Sequence, residues 1–534
     1  MDHRDPRGRH HAGILSMRRP NVLLLMADQL TPGALPCYGH RVVQAPALSA
    51  LAARSAVFDA AYCNFPICAP SRYSMLAGRL PHAIDAFDNA CEMPAEIPTM
   101  AHYLGAAGYR TILAGKMHFV GPDQLHGFDE RLTTDIYPAD FLWVPDWSRG
   151  PADKPTGVGM GHVVDAGPSV RNMQVDYDEE VEHVAVQRLF DLAREPDRPP
   201  FFMTVSFTHP HPPFVAPQEH WDRYDPASID PPAVAEIPYE ALDPHSRWLH
   251  LAHGQDRHAI TPAHVLRARR AYYAMVSYVD EKIGGVLDAL ARAGLADDTV
   301  VVFCADHGEM LGERGMWYKQ TFFEGSVRVP LTIAWPGRIA PSRVAGVCSL
   351  VDLLPTFLDL AADGPAGVRI EPVDAPDGRS LLPAALGAAL PDDAEAVSEY
   401  SSEGVCAPSR MVRRGPHKLV QTLGLRPLLF DLHHDPHELR DLAGDPAHAA
   451  IERALRERLL RDWDPTAVDA RVRASQRRRL FLKALSQRKG RFPAWTFEAR
   501  PGDDGRFVRP ATHGGAVGAK PRARFPYVQP TPPD

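Results

Sequence analysis

Thr299-Val-Val-Val-Phe-Cys304 runs directly into Ala305-Asp306-His307-Gly308. A short run of β-branched and aromatic residues reads as a buried strand, and this one stops at a carboxylate and an imidazole. The amphipathic segment Arg270–Ala293 precedes it. The same pattern recurs along the chain. Val22–Ala27 stops at Asp28. Thr99–Ala107, helix-like and closed by Gly108, leads into Tyr109–Ala114, which stops at Gly115-Lys116-Met117-His118. Phe201–Phe207 stops at Thr208-His209-Pro210-His211. Helices alternating with such strands predict an α/β fold with a largely parallel sheet. Ligands of open α/β sheets bind beyond the carboxyl ends of the strands. One Asp or His at a strand end is ordinarily a turn residue or a cap. Four such endings in one sheet would gather two carboxylates, a lysine and several imidazoles in one crevice, a set suited to a divalent cation.

Composition bounds the rest. The chain has 534 residues, 45% hydrophobic and 23% charged, which is ordinary globular usage and excludes wholesale disorder, collagen and coiled coil. Its length exceeds one simple core. The 52 prolines are unusual, about twice the common 5%, and predict many stiff loops between regular elements. A net charge of -8 gives no basic field for nucleic acid. Seven cysteines without CxxC spacing predict buried reduced thiols rather than a disulfide framework or a zinc ribbon. The basic N-terminus is followed by no adequate h-region, and no apolar run approaches the ~18 residues that span a bilayer. A soluble, cytoplasmic protein without a membrane partner is expected.

Residues 1–17 read as a disordered extension and 18–385 as the main domain. The stretch Pro365–Pro391, rich in Ala, Gly, Pro and Asp, separates it from a smaller α+β domain over 386–465. There Met411–Arg413, His417–Gln421 and Leu428–Leu432 read as strands and Pro446–Trp463 as a helix. Residues 466–534 read as an extended tail and an oligomer contact, with a solvated helix face in the basic stretch Gln476–Lys489.

One cysteine stands apart. Cys68 lies in Pro66-Ile67-Cys68-Ala69-Pro70-Ser71-Arg72, followed by Tyr73-Ser74-Met75-Leu76-Ala77-Gly78-Arg79. Pro70 suits the first turn of a helix, and a thiol at a helix N-terminus is a candidate thiolate nucleophile. The run also resembles the sulfatase signature, whose Cys-x-Pro-x-Arg core is recognised by the enzyme that makes formylglycine. Gly108–His118 resembles the second sulfatase signature. The resemblance covers nearly the whole chain. Within the sulfatases, members of the alkaline phosphatase superfamily, it is closest to choline sulfatases, through Lys116–Gly127, Leu132–Phe141, Ser206–His211 and Asp306–Gly315.

The resemblance implies an alkaline-phosphatase-like α/β sandwich: a large mixed, mostly parallel sheet flanked by helices, plus a smaller C-terminal α+β domain. It implies that a modifying enzyme oxidises Cys68 to formylglycine, whose hydrate attacks sulfur. Asp28, Asp306 and His307, with residue 68, would hold a divalent cation, calcium or, given the imidazole, manganese. Gln29 stands where many sulfatases carry a second aspartate, and His307 replaces their Asn or Gln. This set is shared with choline sulfatases and phosphonate monoester hydrolases. Arg72, Lys116 and Lys319 would neutralise the sulfuryl oxygens, His118 would hydrogen-bond the diol, and His211 rather than His209 would protonate the leaving group.

For a choline leaving group the resemblance offers Trp143 as an aromatic face and Glu399 and Glu403 as carboxylates. Three stretches depart from choline sulfatases: Pro155–Gly159 replaces an aromatic run before Met160-Gly161, Pro212 replaces an Asp, and Arg509-Pro510-Ala511-Thr512-His513-Gly514 replaces the family's terminal stretch. The expected function is hydrolysis of a small sulfate ester, choline O-sulfate first. The alternatives are another alcohol, a phosphonate monoester or phosphodiester, a silent binding protein, and a thiol enzyme using unmodified Cys68. A homodimer or homotetramer is implied through the tail.

Overall fold

Buried apolar runs lay out the strands of the central sheet. The computed structural model describes residues 19–156, 158–363, 366–493 and 495. The expected extension over 1–17, Gly157, and the terminal stretch Arg509–Gly514 lie outside the described residues. Strands β1 (Asn21–Ala27), β2 (Ala56–Tyr62), β3 (Arg110–Gly115), β4 (Phe201–Ser206), β5 (Thr299–Ala305), β6 (Leu331–Ala334) and β7 (Ser342–Ser349) form the sheet. Their order is β7-β2-β6-β5-β1-β4-β3. Short pieces at Glu130–Arg131 beside β3 and Arg328–Val329 beside β2 complete nine strands. β1 runs parallel to both β4 and β5, β3 to β4, and β2 to β7, while β6 is antiparallel to both its neighbours. In β1, β4 and β5 every residue is buried. Sheets covered on both faces read as continuous hydrophobic runs for this reason.

Register fixes where the chemistry emerges. Ala27 pairs with Ala305, Met26 with Ser206, and Gly115 with Ser206. The residues that follow β1, β3, β4 and β5 therefore leave the sheet along one edge. Helices flank the sheet. They are α1 (Cys68–Ala77), α2 (Met173–Arg194), α3 (Pro262–Arg292) and α4 (Leu353–Ala362). α2 packs on α3 and α4 on α1, and Phe357 of α4 meets Phe202 of β4 with ring centres 5.6 Å apart. α3 starts earlier than its amphipathic stretch, because Thr261 caps His264 N and Pro262 occupies the first helical position. Its first turns are exposed or half-buried, and full burial begins only at Ala268.

A four-stranded antiparallel sheet follows: β8 (Glu395–Tyr400), β9 (Ser409–Arg414), β10 (His417–Thr422) and β11 (Leu428–Asp431). β8 is not among the expected strands. Asn64, just past β2, donates to Val397 O at 2.8 Å and accepts from Glu399 N at 2.9 Å, so one side chain and its backbone join the two sheets. Helix α5 (Ala449–Leu460) packs on this sheet and is followed by α6 (Pro465–Lys489).

The expectation of an extended tail from 466 is corrected as far as Lys489, which is helical throughout. Asp464 accepts from Thr466 N and Ala467 N, Pro465 opens the helix, and Gly490 ends it at φ 59°. Hydrophobic periodicity could not reveal α6, since its buried stripe is Val468, Val472, Gln476 and Arg479. Arg479 donates to both oxygens of Asp88, at 2.6 and 2.8 Å, and Gln476 accepts from Trp147 N at 3.2 Å. All seven cysteines are free thiols. Among the described residues, no helix is long and apolar enough to cross a membrane.

Candidate active site

Asp28 follows β1 and Asp306 follows β5, so the register sets them side by side. Gln29 N donates to Asp306 Oδ1 at 3.0 Å. Cys68 is the first residue of α1, and Arg72, one turn later, shares its face. Arg72 Nε donates to Asp306 Oδ2 at 2.8 Å and Nη2 to Asp28 Oδ2 at 3.1 Å, while Nη1 reaches Lys116 O at 2.6 Å and Ser206 Oγ at 2.8 Å. One guanidinium thus ties together the ends of β1, β3, β4 and β5. Lys116 Nζ donates to Asp28 and lies 4.1 Å from the centre of the Tyr137 ring. Lys319 Nζ donates to Gln29 Oε1 and sits 3.8 Å from Cys68 Sγ. His307 Nε2 lies 3.3 Å and Asp28 Oδ1 3.9 Å from the same sulfur.

Burial alone would protonate such acids. Against it, Lys116 first and then Arg72 hold Asp28 well below the usual carboxylate range, and Arg72 holds Asp306 low. Burial brings His307 down to about 4, so its imidazole is neutral. Two ionised carboxylates and a neutral imidazole are the forms that ligate metal. Their ligand atoms and Cys68 Sγ all lie within 4.8 Å of one another. The set fits a divalent cation. Burial and the neighbouring Asp28 push the Cys68 thiol up to about 11, so the unmodified side chain is a poor thiolate nucleophile.

His118 holds a left-handed backbone, φ 62°, with its N–H donated to Asp135 at 2.6 Å. Its ring nitrogens are buried without hydrogen-bond partners among the described residues. The ring packs against Tyr137 and Trp143, with centres 5.0 and 5.7 Å away. Burial, and then Lys116, push its pKa down to about 3. His211 Nδ1 lies 3.0 Å from Tyr137 OH and 2.6 Å from Pro212 O. Burial, with Lys319 adding to it, holds His211 well below the usual imidazole range. His209 has a different setting: its Nδ1 lies 2.7 Å from Asp178 Oδ2, a carboxylate that also accepts from Thr208 N and His209 N.

A cleft of about 540 Å³ opens above Cys68, lined by Asn89, Tyr137, Trp143, Thr156, Val158, His162, His211, Lys319 and Glu403 among others. Tyr137 and Trp143 form an aromatic pair on its wall, with ring centres 4.9 Å apart. Glu403 Oε1 accepts from Thr156 Oγ1 at 2.7 Å and Gln320 Nε2 at 3.0 Å.

A sequence model of the family described as sulfatase matches residues 20–363, more than half of the chain. The chain belongs to the sulfatase family. A second model, described as N-sulphoglucosamine sulphohydrolase, C-terminal, matches residues 312–464. The chain is 44% identical to a choline-sulfatase of Rhizobium meliloti (strain 1021) over 92% of its own length and 96% of that protein. Among solved structures it resembles a phosphonate monoester hydrolase of Agrobacterium radiobacter (26% identity, TM-score 0.64, covering 86% of this chain and 96% of that one). It also resembles a phosphonate monoester hydrolase from Silicibacter pomeroyi (27% identity, TM-score 0.64, 83% and 95%). As a sulfatase this protein is a sulfuric ester hydrolase, and its mixed sheet flanked by helices is the alkaline-phosphatase-like fold.

In this sulfatase, Asp28, Cys68, Arg72, Lys116, His118, His211, Asp306, His307 and Lys319 come together, and Trp143 and Glu403 line the cleft above them. Glu399 does not join them, which corrects its expected place beside the substrate. Its oxygens are taken by His82 N at 2.9 Å, His82 Nδ1 at 2.7 Å and Arg410 Nε at 3.3 Å. Glu399 is held within β8, whereas Glu403 lies beyond the strand end. Sequence reasoning missed two residues. Asn89 Oδ1 accepts from Ala69 N at 3.0 Å in the first turn of α1, and no sequence period marks it. Tyr137 lies inside the stretch Leu132–Phe141 but carries no role in the sequence reading.

Proposed function

We propose that this sulfatase hydrolyses choline O-sulfate to choline and sulfate. The observation that carries the reading is a cleft with Cys68 at its base and Trp143, Tyr137 and Glu403 on its lining. Aromatic faces and a carboxylate are the means by which proteins hold a quaternary ammonium. The relative at 44% identity is named a choline-sulfatase. Oxidised to formylglycine by a modifying enzyme and hydrated, residue 68 would supply a hydroxyl nucleophile, splitting one displacement into two easier ones. Calcium or manganese, held by Asp28, Asp306, His307 and residue 68, would polarise a sulfuryl oxygen and acidify that hydroxyl.

The remaining work falls to the chain's own side chains. Arg72, Lys116 and Lys319 fix the sulfuryl oxygens and balance the charge that grows on them in the transition state. His118, neutral and with both ring nitrogens free of partners among the described residues, accepts a hydrogen bond from the hydroxyl of residue 68. His211 is neutral in the free protein. The anionic ester supplies the negative charge that lets it carry a proton to the leaving oxygen, with Tyr137 OH steering the ring.

A second reading, phosphonate monoester hydrolysis, is favoured by the imidazole in the cation set and by the two solved structures of that name. Turnover of choline sulfate, an aryl sulfate and a phosphonate monoester, alongside mass spectrometry of the Cys68 peptide, separates the two. Choline sulfate should be the best substrate, with an aldehyde in place of the thiol. A clear preference for the phosphonate would replace the first reading, and full activity with an unmodified thiol would end both.

A further inference from the structure

Behind Lys319 stands a buried acid with no role in the chemistry above. Glu309 is 1% exposed. Its Oε1 accepts from the backbone N–H groups of Leu311, at 2.9 Å, and Tyr318, at 2.5 Å. Its Oε2 accepts from Gln29 Nε2, and Gln29 Oε1 in turn accepts from Lys319 Nζ. A carboxamide has one donating and one accepting end. With a carboxylate on one side and an ammonium on the other, only one orientation of Gln29 satisfies both.

We propose that Glu309 is a positioning residue for the reaction: through the Gln29 amide it holds the Lys319 ammonium against residue 68. Glu309 also reaches the backbone next to Lys319. Tyr318 and Gln320, on either side, both have positive φ, 68° and 78°, a region that bulky residues enter only when held there. The Tyr318 N–H is held by Glu309, and Tyr318 O accepts from Met310 N at 2.7 Å. One carboxylate thus sets both the path of the chain into Lys319 and the partner of its head group. The inference rests on the sulfatase reading of Lys319.

Glu309→Gln tests it. The new side chain keeps an oxygen for the two backbone N–H groups but turns an NH2 toward Gln29. Gln29 must then flip, presenting its own NH2 to Lys319. Both kcat/KM on a sulfate ester and the affinity for inorganic sulfate, measured calorimetrically, should fall about 10–100-fold, the usual scale for a group that orients a functional residue, with the Tm nearly unchanged. Adding Gln29→Glu should restore most of both, since one of its oxygens can then accept from the new amide at position 309 and the other from Lys319. In a Lys319→Met background, Glu309→Gln should cost nothing further. Wild-type sulfate affinity in E309Q, or a folded double variant no better than E309Q, would overturn the proposal. If E309Q does not fold, Gln29→Met takes its place: it should show the same loss of sulfate affinity, and an unchanged affinity would equally overturn the proposal. A wild-type protein that binds sulfate but turns over no sulfate ester would defeat the functional reading alone.

Discussion

At the sulfate end of the cleft, every charged group but Lys319 leaves a strand end or the first turns of α1, and all are at most 3% exposed. At the alcohol end, Trp143 sits in the short turn Phe141–Trp143, Thr156 and Val158 lie in a loop, and Glu403 lies past the end of β8. The first region is a closed charge network in which Arg72 and Lys116 face Asp28 and Asp306, so that losing Arg72 strips a buried counterion from both carboxylates. The second consists of separate contacts hung on loops. Reaction chemistry placed on the sheet tolerates little change, while the choice of alcohol can drift by loop substitution.

The largest effect should follow from the sulfate end. Arg72→Ala should cost at least ~10²–10³-fold in kcat and about 3–5 kcal/mol of stability, because Asp28 and Asp306 lose a shared partner. Kinetics and denaturant unfolding would measure the two losses. If R72A keeps wild-type stability, the contrast between the regions collapses.

Trp143→Ala should do much less. A cation–π contact of about 1–2 kcal/mol corresponds to roughly 5–30-fold in kcat/KM for choline sulfate, with aryl sulfate turnover and Tm nearly unchanged. Losses as deep for both substrates as those in R72A would make Trp143 part of the reaction centre instead.

The smallest effect is a pH step. Lys154 Nζ is buried without a partner among the described residues, and burial brings its pKa down to about 8, against the opposing pull of Glu403. Below that pH the ammonium offsets Glu403, and above it the carboxylate stands alone for a cationic alcohol. KM for choline sulfate should therefore fall a few-fold as pH rises through about 8. Lys154→Met should abolish the step and keep the lower KM throughout, as steady-state kinetics between about pH 7 and 9 would read.

What the sequence disclosed follows the same division. Asp28, Lys116, His211 and Asp306 were legible because apolar runs stop abruptly at them, and a strand end has one direction in a parallel sheet. Cys68 and Arg72 were legible through a motif whose spacing is one helical turn. Glu399 and Glu403 were indistinguishable in sequence, since the difference between them is where β8 ends and that depends on pairing with β9. Asn89 acts through a hydrogen bond from Ala69 N, and Glu309 through backbone N–H groups and the distant Gln29, and neither leaves a periodic mark. The start of α6 escaped, and its stretch Gln476–Lys489 read as a solvated helix face although Gln476 and Arg479 are buried, because the buried stripe mixes valine with glutamine and arginine.

The pair Arg479–Asp88 ties two distant parts of the described chain together. It closes a span of 391 residues, joining the last described helix to the loop that carries Asn89 beside the nucleophile. A chain interrupted before residue 479 would already hold every reacting group, yet Asp88 would be left as a buried acid without its counterion. A chain truncated before residue 479 should therefore open more readily, and be cut faster by protease, than one that keeps this pair.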